Sequence, residues 1–151
     1  MTEPISRRDP RLSTWATFLR AHARVVRELE KELQAEQRLA LTDYDVLVQL
    51  ATADERRLRM SELADRLLLS RSGVTRLVDR LVAEGLVERA TCDTDRRGQW
   101  AALTDAGVQR LRAASPTHLR GVAEHFLDRL STDELAALEG MLDRVLVEDR
   151  S

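Results

Sequence analysis

The segment 70–85, SRSGVTRLVDRLVAEG, constrains the fold more than any other part of the chain. Its apolar residues recur three and four positions apart, which is the pattern of a helix with one face packed on a core. The opposite face carries side chains that can hydrogen-bond to phosphates or to base edges. The apolar face consists of Val74, Leu77, Val78, Leu81 and Val82, and the polar face of Arg71, Ser72, Thr75, Arg76, Asp79 and Arg80. The segment therefore predicts an amphipathic helix with an arginine-bearing face.

Short elements on both sides of this helix predict a winged helix-turn-helix. Ser61 is a candidate N-cap for a preceding helix and Ser70 for the arginine-bearing one, because a serine side chain can accept a hydrogen bond from the first turn. Gly85 suits the left-handed position that follows a helix. Segments 86–91 and 99–103 are strand candidates, joined by a loop that is longer than a two-residue turn and leaves the register open. The loop carries Asp93, Asp95, Arg96 and Arg97.

Amphipathic helices are also predicted at both ends of the chain. The first covers residues 11–36, and a second opens with a capping pattern at Thr42. After the strands, Thr104 caps a long helix that Pro116 should kink or split. Ser131 begins a capping box, STDE, before the last helix. The predicted fold class is mainly α with a minor β part.

The terminal helices carry wider apolar stripes than a small central unit can cover. We expect a single winged-helix domain, 1–151, with a DNA-binding lobe at about 55–104 and dimerisation helices at about 11–36 and 105–148. A partner chain would cover the stripes if the ends intertwine in a homodimer. The alternative is that these helices fold back within one monomer.

The charge balance changes along the chain. The net charge is −2, but residues 56–100 carry ten arginines against seven acidic residues, a balance of +3, and the remainder carries −5. A local basic surplus over the helix-turn-helix agrees with contact to nucleic acid. Aromatic residues make up only 3% of the chain, which argues against a stacking platform for single-stranded nucleic acid.

Composition narrows the class of protein further. The 151 residues are 43% hydrophobic, which is too apolar for a disordered chain. Cys92 is the single cysteine, so no internal disulfide can form. No apolar run reaches membrane length and the N-terminal residues lack a signal-peptide pattern, so we expect a cytoplasmic protein without membrane contact.

The run 63–104, LADRLLLSRSGVTRLVDRLVAEGLVERATCDTDRRGQWAALT, resembles the core of the MarR (multiple antibiotic resistance regulator) family, and the resemblance extends over the flanking helices. Its most specific parts are VTRLVDRLVAEGLVER and the DTDRRG wing. The resemblance implies a homodimeric winged-helix repressor, or less often an activator, of a palindromic operator in double-stranded DNA. It places the recognition helix, Ser70–Glu84, in the major groove, and the wing arginines in or near the minor groove.

The same resemblance suggests which residues contact DNA. Side chains in the first half of the recognition helix would approach bases and phosphates, and Asp95 would orient a neighbouring wing arginine through a charge-assisted bond. The predicted DNA-binding residues are Ser70, Arg71, Ser72, Thr75, Arg76, Arg80, Asp95, Arg96 and Arg97. The alternative is that these arginines are solvated surface charge.

Members of this family often bind small aromatic acids between the dimer helices and the DNA-binding lobe. The corresponding effector pocket would take Trp15, Phe18 and His22 from the first helix and Tyr44 from the second, with Arg110 or Arg112 pairing with a carboxylate. For each of these residues the alternative is an ordinary core or surface position. The sequence does not identify an effector.

The sequence gives little support for catalysis, metal binding or redox sensing. The chain has no glycine-rich phosphate loop, nucleophile elbow or HExxH motif, so we expect neither an enzyme nor a cofactor. His118 and His125 are seven positions apart on one helix, beyond the spacing of a chelating pair, and we expect no metal site. The alternative is a site that the two histidines form with His22 across elements. Cys92 is interpreted as a strand-end cysteine rather than a redox switch. Two further hypotheses stay open: a winged-helix protein-interaction module, and a DNA-binding regulator that needs no effector.

Overall fold

The computed structural model describes residues 4–92 and 95–147, and it describes residues 92 and 95–98 by their backbone alone. The helices are α1 (Leu12–Gln37), α2 (Leu41–Ala51), α3 (Met60–Leu67), α4 (Arg71–Ala83), α5 (Asp105–His125) and α6 (Thr132–Leu146). The strands are β1 (Arg57–Arg59), β2 (Val87–Cys92) and β3 (Asp95–Leu103). Single 3₁₀ turns occupy Asp54–Arg56 and Leu127–Arg129. The order confirms the predicted mainly α winged helix-turn-helix.

The described residues form two compact units. One contains residues 4–29 and 119–147, and the other contains Glu30–His118. All three strands and helices α2 to α4 belong to the second unit, together with the end of α1 and the greater part of α5. The lobe boundaries at about 55 and 104 stay predictions.

The second unit has a continuous apolar core. Leu47 of α2, Leu63 of α3 and Leu81 of α4 are fully buried. Burial of one such side chain stabilises a fold by roughly 1.5–3 kcal/mol, so this core fixes how the three helices pack. The predicted apolar face of α4 is confirmed, since Val74, Leu77, Val78 and Leu81 are buried and Val82 is half-buried.

The three strands form an antiparallel sheet in the order β1-β3-β2. Leu58 pairs with Ala101, and both side chains are buried against the helices. Pairing of β2 with β3 continues to Cys92 and Asp95, with an irregularity after Ala90. The prediction of a long loop between the strands is therefore wrong, because backbone pairing leaves only residues 93 and 94 between them.

Two capping residues join the elements around this sheet. Gly85 follows α4 with φ +76°, as predicted for a left-handed residue after the helix. Thr104 Oγ1 accepts a hydrogen bond from the Gly107 amide at 3.0 Å, which confirms it as the cap of α5. The same hydroxyl donates to the Gly85 carbonyl at 2.7 Å. One side chain thus joins the end of α4 to the start of α5.

The predicted starts of α2 and α3 are wrong. Helix α2 begins at Leu41, and Thr42 does not cap it. Helix α3 begins at Met60 rather than after Ser61, because β1 ends at Arg59 and the buried Met60 already belongs to the first turn.

Pro116 does not split α5, which runs through it. A proline removes one backbone donor from a helix. The turns on both sides remain helical, and the hydroxyl of Ser115 donates to the carbonyl of Leu111 at 2.8 Å.

The unit formed by residues 4–29 and 119–147 exposes much of its apolar surface. Trp15 is 56% exposed and Phe18 45%, and their rings stack with centroids 6.0 Å apart. The predicted capping box of α6 is confirmed, with Ser131 and Glu134 each bonding the other's backbone amide. A shallow groove of about 370 Å³ is lined mainly by Phe126, Leu127, Leu135, Leu138, Leu142 and Leu146. In the described part of the chain, no helix combines the length and apolar character that crossing a membrane requires.

Candidate nucleic-acid interface

The turn between α3 and α4 determines how α4 begins. Leu68 ends α3 in the left-handed conformation, with φ 54°, and is 92% exposed. Ser70 then caps α4, because its Oγ accepts a hydrogen bond from the Gly73 amide at 3.0 Å. The predicted cap is confirmed. The first amides of a helix have no partner within it, and they lie at the positive end of the helix dipole, so an anion is favoured at such a start.

The exposed face of α4 presents the side chains predicted to contact DNA. Arg71, Ser72, Thr75 and Arg76 are all exposed, while the opposite face of the helix lies in the core. Ser72 Oγ lies 3.2 Å from Ser70 Oγ, so the two hydroxyls at the helix start share a hydrogen bond. Two guanidinium groups and three hydroxyls thus occupy adjacent turns at the beginning of one helix. Such groups bind phosphate oxygens and base edges.

Arg80, predicted to bind DNA, already has a protein partner. Its Nη2 donates to Asp43 Oδ1 of α2 at 2.5 Å. The Asp43 side chain is only 8% exposed, whereas that of Arg80 is 52% exposed. The hydrogen bond to Asp43 raises the pKa of Arg80 above its usual value, despite a small opposing effect of burial. Arg80 is therefore held by α2 with part of its guanidinium open to solvent.

Asp43 directly follows Thr42, where a helix cap was wrongly predicted, and its pairing with Arg80 was not predicted. It lies three, four and seven positions before Val46, Leu47 and Leu50, on the buried face of α2. A carboxylate at a core position is costly unless it is paired. That position was the signal in the sequence that Asp43 needs a cationic partner.

A second ion pair attaches α4 to the sheet. Arg89 of β2 donates to Asp79 Oδ1 at 2.7 Å and to Gln99 Oε1 at 3.3 Å. Arg89 was not among the predicted site residues. On β2 it alternates with the outward-facing Glu88 and Ala90, and its partner Ala101 on β3 faces the helices. An arginine on the helix-facing side of a strand can reach an acidic residue of the helix that it faces, which is the signal that a sequence offers for this pair.

The outer face of the sheet carries an aromatic residue between two arginines. The guanidinium carbon of Arg57 lies 5.7 Å and that of Arg59 5.3 Å from the centroid of the Trp100 ring. Both distances are within cation–π range. The side chains of Asp95, Arg96 and Arg97, predicted to contact DNA, lie outside the described residues, as does that of Cys92.

The six residues predicted to form an effector pocket have different surroundings. Trp15, Phe18 and His22 are exposed on α1. Tyr44 is buried, and its Oη lies 3.3 Å from Ser115 Oγ. Arg110 donates to the Gln37 carbonyl, and Arg112 is exposed. Their binding role stays a prediction.

The chain combines a short helix, a tight turn, a capped helix with an exposed basic face and an antiparallel wing. This arrangement defines a winged helix-turn-helix protein of the kind that binds DNA. A model of the MarR family matches residues 39–98. The fold also matches the crystal structure of AbsC, a MarR family transcriptional regulator from Streptomyces coelicolor, with a TM-score of 0.85, 33% identity and coverage of 96% of both chains. The chain belongs to the MarR family.

Two further relatives agree with this membership. Sco3205, a MarR family transcriptional regulator from Streptomyces coelicolor solved in complex with DNA, matches with a TM-score of 0.88 and 32% identity, over 98% of this chain and 95% of that one. The HTH-type transcriptional regulator MhqR of Bacillus subtilis (strain 168) is 31% identical over 86 residues, which are 57% of this chain and 59% of MhqR. The chain spans about half to three fifths of the length of curated relatives such as MhqR. All three named relatives are regulators rather than enzymes.

Proposed function

We propose that the chain is a transcriptional regulator that binds double-stranded DNA with sequence specificity through α4 and the wing. The observation that carries the proposal is the exposed first half of α4, where Arg71, Ser72, Thr75 and Arg76 follow a capped helix start. The opposite face of α4 is buried in the core, so the polar face has one fixed direction. The complex of Sco3205 with DNA supports this use of the fold.

We propose further that the protein acts as a homodimer on a palindromic operator. Exposed apolar side chains on α1 and α6, such as Trp15 and Val145, support a partner surface, because large apolar patches on a soluble protein usually mark an interface. A two-fold dimer would place two recognition helices about 34 Å apart, one turn of DNA. The expected role is repression, and a small-molecule effector such as an aromatic acid would release the DNA by changing that spacing.

The test begins with genomic fragments of the source organism. Fragments that the purified protein retains are sequenced, and the most enriched duplex is compared with a scrambled duplex of equal length at several salt concentrations. We expect a shared palindrome, tighter binding to the enriched duplex and an affinity that falls steeply with salt, because phosphate contacts release counterions. Absence of duplex binding, or binding that salt does not weaken, would favour the protein-interaction module instead.

Variants separate the wing from the recognition helix. Arg97→Ala should weaken binding to both duplexes by a similar factor, because a wing arginine mainly contacts phosphates or the minor groove. Arg76→Ala or Thr75→Ala should instead change which fragments are selected, since side chains in the major groove read base edges. Equal behaviour of the two kinds of variant would contradict this division.

The proposed effector is tested independently of DNA sequence. A panel of aromatic acids is screened by thermal shift. A compound that binds the folded protein should raise its melting temperature. The same compound should then weaken binding to the enriched duplex. If no compound of the panel does either, the regulator that needs no effector becomes the better hypothesis.

A further inference from the structure

Besides its buried apolar face, helix α4 is attached to its surroundings by ion pairs of two neighbouring residues. Asp79 accepts a hydrogen bond from Arg89 of β2, and Arg80 donates one to Asp43 of α2. Both pairs are charge-assisted bonds, which are stronger and more directional than bonds between neutral groups. Rotation of α4 about its axis, or sliding along it, would break both pairs. The two pairs therefore restrain the rotation of α4 at one place along the helix, residues 79 and 80.

The pair with Asp43 differs from the other in its burial. Asp79 is 62% exposed, so solvent can replace Arg89 at little cost, whereas the Asp43 side chain is 8% exposed. A buried carboxylate that loses its cation is strongly destabilised, while an exposed pair contributes little. Asp43 thus holds Arg80 far more firmly than Arg89 holds Asp79.

We propose that Asp43 is a positioning residue for DNA recognition. Packing of the apolar face sets the approximate rotation of α4, and the bond to Arg80 limits the rotation that remains, and thereby the precise direction in which the DNA-contacting side chains face the groove. This inference rests on the proposed DNA binding. Arg76 lies four positions before Arg80, about one helical turn, so these two side chains share a face of α4. Because a helix turns as one body, restraint at Arg80 also limits the directions of Arg71, Ser72 and Thr75.

Positioning and simple electrostatics predict opposite effects when the Asp43 charge is removed. Without that carboxylate the surface is more positive and the Arg80 guanidinium gains freedom, so phosphate attraction alone would tighten binding to every duplex. Loss of positioning weakens binding to the enriched duplex only, because base contacts need a fixed geometry and phosphate contacts tolerate movement. The ratio of the two affinities therefore distinguishes the two effects.

The experiment compares Asp43→Asn with Asp65→Asn. Asp65 is an exposed acidic residue of α3, so its replacement makes the same change in net charge without touching α4's anchor. Dissociation constants are measured for the enriched and the scrambled duplex over a series of salt concentrations. We expect Asp43→Asn to reduce the preference for the enriched duplex roughly 5- to 20-fold. Asp65→Asn should leave the preference unchanged.

A double-mutant cycle with Arg80→Gln tests whether the two residues act together. The double variant should discriminate no worse than the poorer single variant, since each change breaks the same bond. Independent, multiplying losses would overturn the proposal. So would an Asp43→Asn variant that keeps the preference of the unaltered protein or behaves like Asp65→Asn.

A milder variant covers the case in which Asp43→Asn does not fold. Arg80→Lys keeps a cation beside Asp43 but lacks the planar fork of the guanidinium, so it should hold α4 less rigidly. We expect a preference reduced roughly 2- to 5-fold at an unchanged melting temperature. An unchanged preference would contradict the inference. Absence of binding by the unaltered protein would overturn the proposed function itself, and the positioning role with it.

Discussion

The ring of Tyr44 lies against the imidazole of His118, with 4.4 Å between the centroids and 32° between the planes. Tyr44 belongs to α2 and His118 to α5, so the contact joins the two helices. The Nδ1 atom of His118 is buried and has no hydrogen-bond partner among the described residues. Burial lowers the pKa of His118 below its usual value of 6.5. The imidazole is therefore held in its neutral form near pH 7.

Acid should destabilise the protein through His118. The unfolded chain takes up a proton near the usual pKa, whereas the folded protein takes it up only at lower pH. Stability from the neutral ring is therefore complete above about pH 6.5 and is lost as the pH falls through the folded pKa. Relative to His118→Phe, which keeps an aromatic ring, the unaltered protein should lose about 0.5 kcal/mol between pH 7 and 5, a small value because the ring is only partly buried. Urea unfolding at each pH measures this.

A control for this pH dependence is His22→Gln, since His22 is exposed on α1. It should follow the unaltered protein at every pH. Parallel curves for His118→Phe and the unaltered protein would show that His118 is not the group responsible.

Leu68 should be a site at which substitution stabilises the protein. Its φ of 54° costs a residue with a side chain roughly 1–2 kcal/mol, and 92% exposure means that little apolar burial offsets the cost. Leu68→Gly should therefore raise the free energy of unfolding by about 0.5–1 kcal/mol, after allowance for the greater entropy of the unfolded chain. The neighbouring Leu69→Gly should lower it, because Leu69 is not in the left-handed region. Chemical denaturation of both variants measures these changes. A loss of stability in both would contradict the expectation for Leu68.

Alanine should have opposite effects at two glycines that have open space around them. A Cβ at Gly85 or at Gly140 would meet no atom within 4 Å, so crowding plays no part at either position. Gly85 has φ +76°, so Gly85→Ala should lower the free energy of unfolding by about 1 kcal/mol. Gly140 lies within α6, so Gly140→Ala should raise it by about 0.5–1 kcal/mol. Thermal melts of both variants test the contrast, which equal shifts of the same sign would contradict.

Ser70 should combine a structural with a functional role. Ser70→Ala removes the cap of α4 and should cost about 1 kcal/mol of stability. Ser70→Asp retains a capping oxygen and should be as stable as the unaltered protein. Its negative charge, however, would face the DNA phosphates and weaken binding to every duplex. Unaltered DNA affinity in Ser70→Asp would show that the helix start does not approach the DNA backbone.

The periodic features of the sequence predicted the fold well. The apolar stripe of α4, the cap at Ser70, the left-handed Gly85 and the cap at Thr104 all depend on a few neighbouring residues. Local physics therefore decides them. The start of α3 was predicted wrongly because β1 pairs with β3 as far as Arg59, and no local preference of Ser61 carries that information.

The candidate site was predicted only in part. Exposure of the first half of α4 follows from its periodicity, but the partners of Asp79 and Arg80 lie 10 and 37 positions away in sequence. A single sequence does not specify which distant charges meet. The signal for Asp43 was missed: it lies on the apolar face of α2, where the cost of an unpaired charge requires a partner.

The two hydrogen bonds of the Thr104 hydroxyl make the wing a structurally independent hairpin. Its hydroxyl binds the Gly85 carbonyl and the Gly107 amide, and its own amide binds the Leu86 carbonyl, so the hairpin between 87 and 103 is closed at its base. Because these bonds lie at the base, we expect the closure to persist when chain is added to or removed from the hairpin. Wings of other lengths and charges could thus be exchanged on this scaffold while the path from α4 to α5 stays the same. Such exchange would let descendants of one regulator acquire new DNA targets without first losing their fold.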